Sequence, residues 1–219
     1  MTTKDVTPVS LTCQVETLVT MVYHDGMNSE VLEELIEYKF APGPLLAVQG
    51  FANTHSYEND EELLRDPDAS RRWLVEAGLI EASAEISAKD QEELLELRVA
   101  VRALLNANHD DSVDTEAVET LRRLAAEHPV KFEVKPTGGV ALNLEPAASA
   151  GDLIAQTIGI ISQAQERDEW RRLKICPASD CRWAFYDSSK NRGGTWCRME
   201  VCGNRNKNRK YRQAQTSSK

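Results

Sequence analysis

The sequence predicts an α+β protein: a mostly helical domain with a short strand and a β-hairpin, followed by a small zinc-stabilised C-terminal module with a basic helix. Three observations predict it. Apolar residues recur with the 3.6-residue helical period in several segments. One stretch alternates apolar and polar residues on either side of a glycine-containing turn. Four cysteines and a run of basic residues lie near the C-terminus, and 219 residues suffice for one medium-sized domain with a small module attached.

The first 40 residues form an N-terminal segment with one predicted helix and no further assignment. Residues 1–26 show no clear repeat or low-complexity pattern, and Met1 to Met21 shows no charged-then-apolar signal pattern. We interpret Cys13, which lies far from the other cysteines, as a small buried apolar residue. The pattern from Ser29 to Phe40 predicts a helix with Ser29 as its N-cap, which ends at the following proline-rich turn.

A short apolar run and the polar residues after it raise the question of a ligand pocket. Leu45 to Phe51 favours a buried strand. Asn53 and Thr54 follow it, where they could line a pocket or cap the next element, and we favour the cap. Arg98 flanks an apolar helix stripe and could hold an anionic ligand in a cavity. We favour the alternative that it extends to water along the edge of the core.

The other elements of the large domain have clear starts or turns. Ser87 and Asp90 match a capping box, and the residues 136–139 supply the turn of a hairpin. The predicted helices are Glu61 to Arg65, Asp68 to Gly78, Ser87 to Ala107, Asp114 to Glu127 and Ser149 to about Leu173, and the predicted hairpin joins Val130 to Lys135 with Val140 to Leu144. The last helix is expected to lead directly to the cysteines.

Four cysteines, Cys176, Cys181, Cys197 and Cys202, form a C-x4-C, x15, C-x4-C array. Two short cysteine loops at such a separation can place four thiolates around one Zn²⁺ ion. Disulfides and unrelated buried thiols are the alternatives. A structural zinc is favoured over a catalytic one, because four cysteines leave no open coordination position. The nearby aromatic residues, Trp183, Phe185, Tyr186 and Trp196, are expected to cover the metal rather than to stack on bases.

The charge of the chain is divided unevenly. Residues 170–219 carry 13 Lys and Arg against three acidic residues, a net of +10, whereas residues 1–169 have a net of −19. This asymmetry points to a polyanionic partner at the C-terminal end only. No stretch is long and apolar enough to cross a bilayer, so we expect a soluble, cytoplasmic protein.

Asn204 to Gln213 predicts a helix that the metal site anchors at its first turn. Its basic surface is expected to meet nucleic-acid phosphates, and its Arg and Asn side chains could contact base edges. DNA is favoured over RNA, and the alternative is a solvated charged tail. The candidate nucleic-acid-binding residues are Arg198, Asn204, Arg205, Lys207, Asn208, Arg209, Lys210 and Arg212.

The motif Cys176-x4-Cys181-Arg182-Trp183-Ala184-Phe185-Tyr186, with Trp196-Cys197 and Cys202-Gly203-Asn204-Arg205, resembles the CGNR zinc finger. The segment Phe51-Ala52-Asn53-Thr54, the helix with Arg98 and the hairpin are similar to the ABATE domain that commonly precedes this finger. The resemblance implies three parts: residues 1–40, an ABATE-like sensory domain at 41–170, and the finger at 171–219. One departure is Gly193-Gly194-Thr195, where the family tends to have basic residues.

Proteins of this kind are regarded as stress-induced transcription regulators, with a finger presumed to bind DNA. The resemblance implies the four cysteines as zinc ligands, Asn204 and Arg205 as signature positions, and Asn53, Thr54 and Arg98 as candidates for a small-molecule pocket. A symmetric homodimer is a further expectation, because readers of duplex DNA are often dimers. The acidic domain could also dock on the finger and mask DNA binding.

Other functions are less favoured. Residues 1–169 show no nucleophile–base pair, phosphate-binding glycine loop or His–carboxylate metal motif, so we do not expect an enzyme. RNA binding by the finger remains an alternative, as does an enzyme that the finger brings to nucleic acid. A redox-responsive zinc site is another, because basic residues beside the cysteines favour reactive thiolates.

Overall fold

A computed structural model describes residues 27–110 and 112–216. Its α-helices are α1 (Ser29–Ile36), α2 (Leu45–Ala52), α3 (Pro67–Glu76), α4 (Ala88–Ala107), α5 (Thr115–Glu127), α6 (Ala150–Glu166) and α7 (Asn204–Thr216). Three antiparallel pairs of short strands accompany them: β1 (His55–Ser56) with β2 (Glu61–Glu62), β3 (Phe132–Val134) with β4 (Val140–Leu142), and β5 (Leu173–Ile175) with β6 (Ala184–Tyr186). The prediction for Cys13 lies outside the described residues.

The helical core is built around α4, which packs against α5, α6 and α2. Its predicted capping box is confirmed: the Ser87 hydroxyl accepts from the Asp90 amide, and the Asp90 carboxylate accepts from the Ser87 amide. Asp114 and Ser149 cap α5 and α6 in the same way, through hydrogen bonds from backbone amides three residues ahead. These local capping signals therefore place the starts of the long helices.

The predicted strand at Leu45 to Phe51 is wrong, because these residues form α2. Nearly every side chain of α2 is buried, so the sequence of this helix has no polar face from which a helical period could be recognised. A uniformly apolar run of this length fits a buried strand and a buried helix equally well. A Cβ on Gly50 would lie 2.5 Å from Leu32 Cδ2, so the glycine permits α1 and α2 to pack closely.

Three further boundaries differ from the prediction. The predicted helix at Glu61 to Arg65 is wrong, since its first two residues form β2. Helix α1 ends at Ile36 rather than Phe40, because the next residue, Glu37, adopts a positive φ of 60°. Its N-cap is Asn28 rather than the predicted Ser29. Helix α6 ends at Glu166, and a 3-10 turn at Trp170–Arg172 followed by β5 then leads to the first cysteine.

The predicted hairpin is confirmed as β3 and β4, with Phe132 opposite Leu142 and Val134 opposite Val140. Its turn contains Gly138 at a φ of +82°, a conformation that favours glycine. Strand β4 lies on α6, where Leu142 is buried against Gly159. Strand β3 lies on the outside and is exposed along its whole length. Among the described helices, none is both long and apolar enough to span a membrane.

Candidate metal centre

The β5–β6 hairpin positions the first two cysteines, since Cys176 directly follows β5 and its amide donates to the Trp183 carbonyl. The four sulfurs of the array lie within 4.8 Å of one another. Cys181 Sγ is 3.6 Å from Cys197 Sγ, which is 3.7 Å from Cys202 Sγ. Tetrahedral zinc with Zn–S bonds of about 2.3 Å requires sulfur–sulfur distances of about 3.8 Å. The four thiols therefore fit one tetrahedral Zn²⁺ ion.

A small apolar core surrounds the sulfurs. Phe185 and Ala178 are buried with the cysteines, and Trp183, Trp196 and Val201 pack against them. Tyr186 instead packs against the large helical core. The aromatic residues of the finger thus shield the sulfurs and join the finger to the rest of the chain.

Hydrogen bonds among the thiols shift their pKa values in opposite directions. Hydrogen bonds from Cys181 and Cys197 lower the pKa of Cys176 to about 2. The hydrogen bond to Cys176 raises the pKa of Cys181 to about 12, and the pKa of Cys197 is raised as well. The Cys176 thiol ionises readily, and its negative charge then opposes ionisation of Cys181 and Cys197. A divalent cation would remove that repulsion, which is the electrostatic property of a metal site.

The residues after the last cysteine are held inside the finger. A Cβ on Gly203 would lie 2.4 Å from Met199 Sδ, so glycine fits the π-helical turn Met199–Gly203. The Asn204 amide group donates to the Glu200 carbonyl at 3.0 Å. Arg205 donates to Cys202 Sγ at 3.6 Å and pairs with Asp180 at 3.0 Å. These side chains brace the metal site and the start of α7.

A buried ion pair organises the loop between the two cysteine pairs. Lys174 Nζ lies 3.1 Å from the Asp187 carboxylate and also donates to the carbonyls of Arg192 and Gly194. The Gly194 amide donates to Asp187 at 2.7 Å, and a Cβ on Gly194 would lie 2.6 Å from that carboxylate. Gly194 is therefore required by the close approach of the Asp187 carboxylate.

Two family models match the chain. One, described as "CGNR zinc finger", matches residues 172–215. The other, described as "ABATE: Putative stress-induced transcription regulator", matches residues 47–159, more than half of the chain. The chain belongs to the ABATE family. No curated protein matches it at a significant level. Both families are of the regulator or zinc-finger type rather than enzyme families, and the expected resemblance is confirmed.

The ABATE domain holds the finger through the backbone of β6. The Asn53 side chain accepts from the Ala184 amide at 2.8 Å and donates to the Ala184 carbonyl at 3.0 Å. Gln49 donates to the same carbonyl at 3.2 Å. Asn53 is only 1% exposed, and both its amide nitrogen and its side-chain oxygen are hydrogen bonded to Ala184. The Asn53 side chain therefore does not cap the following element.

Other residues of the helical part also donate to finger carbonyls, and the sequence analysis missed them. Lys39 donates to Trp196, Arg102 to Arg182 and Asn108 to Leu173, and His109 Nε2 lies 2.6 Å from the Ile175 carbonyl oxygen. In return, the Trp183 indole donates to the Ile36 carbonyl at 3.2 Å. One sequence signal for these contacts was available: Arg102, one helical turn after Arg98, is a second arginine that interrupts the apolar face of α4.

Arg98 does not extend to water, so that part of the prediction is wrong. Its guanidinium is 6% exposed and contacts both Glu62 carboxylate oxygens and the Thr54 hydroxyl. Burial would raise the pKa of the Glu62 carboxyl, but the hydrogen bonds from Arg98 and the Leu64 amide hold that pKa below its ordinary value. Glu62 thus neutralises the charge that an anionic ligand was expected to meet.

A cavity of about 310 Å³ lies beside these residues. Asn53 and Thr54 line it, and its remaining polar walls include the carboxylates of Glu34, Glu61 and Glu76. Among the described residues, no Arg or Lys lines it, Arg98 included. Two of the three pocket candidates therefore border a cavity whose charge is negative.

The candidate nucleic-acid residues fall into two groups. Arg198 lies 4.6 Å over the Tyr38 ring and 3.9 Å from Glu37, so it engages the helical part. Asn204 and Arg205 are instead braced within the finger. Lys207, Asn208, Arg209 and Arg212 are exposed on α7. Lys210 belongs to the same helix. The contacts between ABATE domain and finger described above do not involve the side chains of Lys207, Asn208 and Arg209.

We expect Asn53→Ala to destabilise the protein by about 1–3 kcal/mol, because it leaves the buried Ala184 amide without a partner. Equilibrium denaturation of the full chain measures the change. Asn106→Ala is the matched control, since Asn106 is exposed on α4 and should change stability by less than about 0.5 kcal/mol. Equal stability of the two variants would show that Asn53 does not hold the finger.

Proposed function

We propose that the protein is a DNA-binding transcription regulator in which a four-cysteine zinc finger presents α7 to the duplex. The observation that supports it most is the position of α7. The helix begins two residues after Cys202 and exposes Lys207, Asn208 and Arg209. A helix fixed at its first turn and carrying cations on its surface suits the width of a major groove.

In this proposal the four cysteines bind one structural Zn²⁺. Zinc stabilises the finger, residues 171–219, whose own apolar core is small. Residues 41–170 form the ABATE domain, and α1 in the segment before it adds to the same core. Such a regulator would act in the cytoplasm.

The docked arrangement also bears on masking of the finger. The domain contacts use β5, β6 and the loops around the metal site, while Lys207, Asn208 and Arg209 stay exposed. We therefore infer that the docked chain is competent to bind DNA. A ligand in the 310 Å³ cavity beside Asn53 would act on the contact with Ala184. Its effect would be measured as a change in the DNA affinity of the full chain.

The test is DNA binding by the full chain across a series of salt concentrations. Each phosphate contact contributes about −0.9 to the slope of log K against log salt for duplex DNA. Arg209→Ala removes about one phosphate contact, so the slope of log K against log salt should become less negative by about 0.9. Binding should weaken uniformly across DNA sequences. Arg122→Ala, an exposed arginine on α5, is the matched control and should leave the slope unchanged.

Two outcomes would contradict the proposal. Absence of duplex binding at low salt by a zinc-loaded, folded chain would remove DNA as the partner. Tighter binding of structured RNA than of duplex DNA, with the same loss in Arg209→Ala, would favour the alternative of an RNA-binding finger.

A further inference from the structure

The outer strand of the β3–β4 hairpin is an unpaired sheet edge with an apolar face. Phe132 is 64% exposed, Val134 71% and Val140 67%. Within the described part of the chain, β3 pairs only with β4. A two-stranded hairpin is marginally stable by itself, and an exposed apolar edge is a template for another strand.

The backbone of β3 shows which groups are available at this edge. The Lys131 carbonyl accepts from the Asn143 amide, and the Lys135 amide donates to the Gly139 carbonyl. Alternate residues of an antiparallel strand point their backbone groups in opposite directions. Residues 131, 133 and 135 therefore face β4, whereas the amides and carbonyls of residues 130, 132 and 134 face away from it.

We propose that a second copy of this chain pairs with β3, antiparallel and with the two-fold axis at Phe132. The free backbone groups of Phe132 then meet those of Phe132 in the second copy. Val130 and Val134 meet Val134 and Val130 in the same way. All three residues have their backbone groups on the free edge, so the two hairpins form one four-stranded sheet. The apolar side chains of residues 130, 132 and 134 share one of its faces.

The charges of β3 select this register. With the two-fold axis at Phe132, Lys131 of each copy lies opposite Glu133 of the other. Glu133 has no ion-pair partner among the described residues, whereas Lys131 contacts Asp152 from its exposed position. Opposite charges directly across a strand pair are favourable, and like charges are unfavourable. The residues 130–134 therefore match a reversed copy of themselves.

Two registers with the axis further along the strand fit less well. An axis at Glu133 places the two Glu133 carboxylates opposite each other and Lys131 opposite Lys135. An axis at Val134 places Pro136 opposite Phe132, and proline has no N–H to donate. Of these three registers, only the axis at Phe132 satisfies both the backbone and the charges.

The contact is small, because it joins one short strand from each copy. Stable dimers usually bury about 1,200 Å² or more in total, so strand pairing of this size supports a weak, concentration-dependent dimer. The inference does not depend on DNA binding. If the proposed function also holds, a duplex that binds both fingers would strengthen the pairing by raising the effective concentration.

The test measures self-association of the full chain by sedimentation equilibrium. Glu133→Lys places Lys opposite Lys and should weaken the dimer at least about tenfold, and Lys131→Glu should do the same by placing Glu opposite Glu. A mixture of the two variants restores both ion pairs and should associate at least as tightly as the wild type. Lys135→Glu is the control, because its side chain lies opposite Pro129 in this register and its affinity should stay within about threefold.

Each result decides the proposal. A wild-type chain that remains monomeric at high concentration overturns it, as does a mixture that associates no better than its components. Weakening by Lys135→Glu equal to that of Glu133→Lys would overturn the register at Phe132. Glu133→Lys lies on an exposed strand, so unchanged thermal unfolding of this variant separates loss of pairing from loss of fold.

Discussion

Replacing Cys176 by serine is expected to abolish stoichiometric zinc binding and to unfold the finger. Structural zinc contributes on the order of 10 kcal/mol to the folding of small zinc modules, more than the finger core can replace. Because β6 is hydrogen bonded to α2, part of the ABATE domain should lose protection as well. Metal analysis of the purified protein and amide hydrogen exchange measure the two effects.

The control is Cys13→Ser, which removes the cysteine outside the array and should leave one zinc per chain. Retention of one tightly bound zinc by Cys176→Ser would show that the ion has another ligand set. Exposure of the wild type to mild peroxide uses the same readout. Zinc retention under that treatment would argue against the redox alternative.

The second large effect is expected at the buried ion pair of the finger. Asp187→Asn leaves the Lys174 ammonium buried without its carboxylate and should cost about 3–5 kcal/mol. Asp180→Asn is the matched control, since its pair with Arg205 is about half exposed and contributes less than about 1 kcal/mol. Chemical denaturation of both variants in the zinc-loaded state gives the comparison. Equal losses would contradict the role of the buried pair.

The same pair makes a prediction about acid. Burial raises the pKa of the Asp187 carboxyl, but hydrogen bonds from Ser189, Lys174 and Gly194 outweigh it and lower the pKa to about 2. The unfolded chain has a pKa near 3.9 at this group. The ionised carboxylate therefore stabilises the fold fully above about pH 4, and this stabilisation is lost as pH falls through about 2. The difference in unfolding free energy between wild type and Asp187→Asn should shrink over that window.

The sequence predicted those features whose signal is local. Cysteine spacing identified the metal site, because two pairs of cysteines at short separations are typical of zinc coordination by four thiolates. Ser87 and Asp90 placed the start of α4 because a capping box involves only four consecutive residues. The hairpin at β3 and β4 followed from its alternation and turn.

The features that failed depend on distant neighbours. Leu45 to Ala52 is helical because it is surrounded by the core, and no polar face marked its period. Arg98 is buried because Glu62, 36 residues away, neutralises it. Asn53 joins the finger to the ABATE domain because Ala184 reaches it from 131 residues away, which no local pattern around Asn53 could indicate.

The hydrogen bonds that join the helical part to the finger mostly reach the main chain of the finger. Asn53, Gln49, Lys39, Asn108 and His109 all contact finger backbone atoms, which every amino acid possesses. Substitutions in the finger can thus alter its outer side chains while the same domain continues to hold it. A regulator built in this way could acquire a new target sequence by changes in α7 alone, without having to rebuild the joint between its two parts.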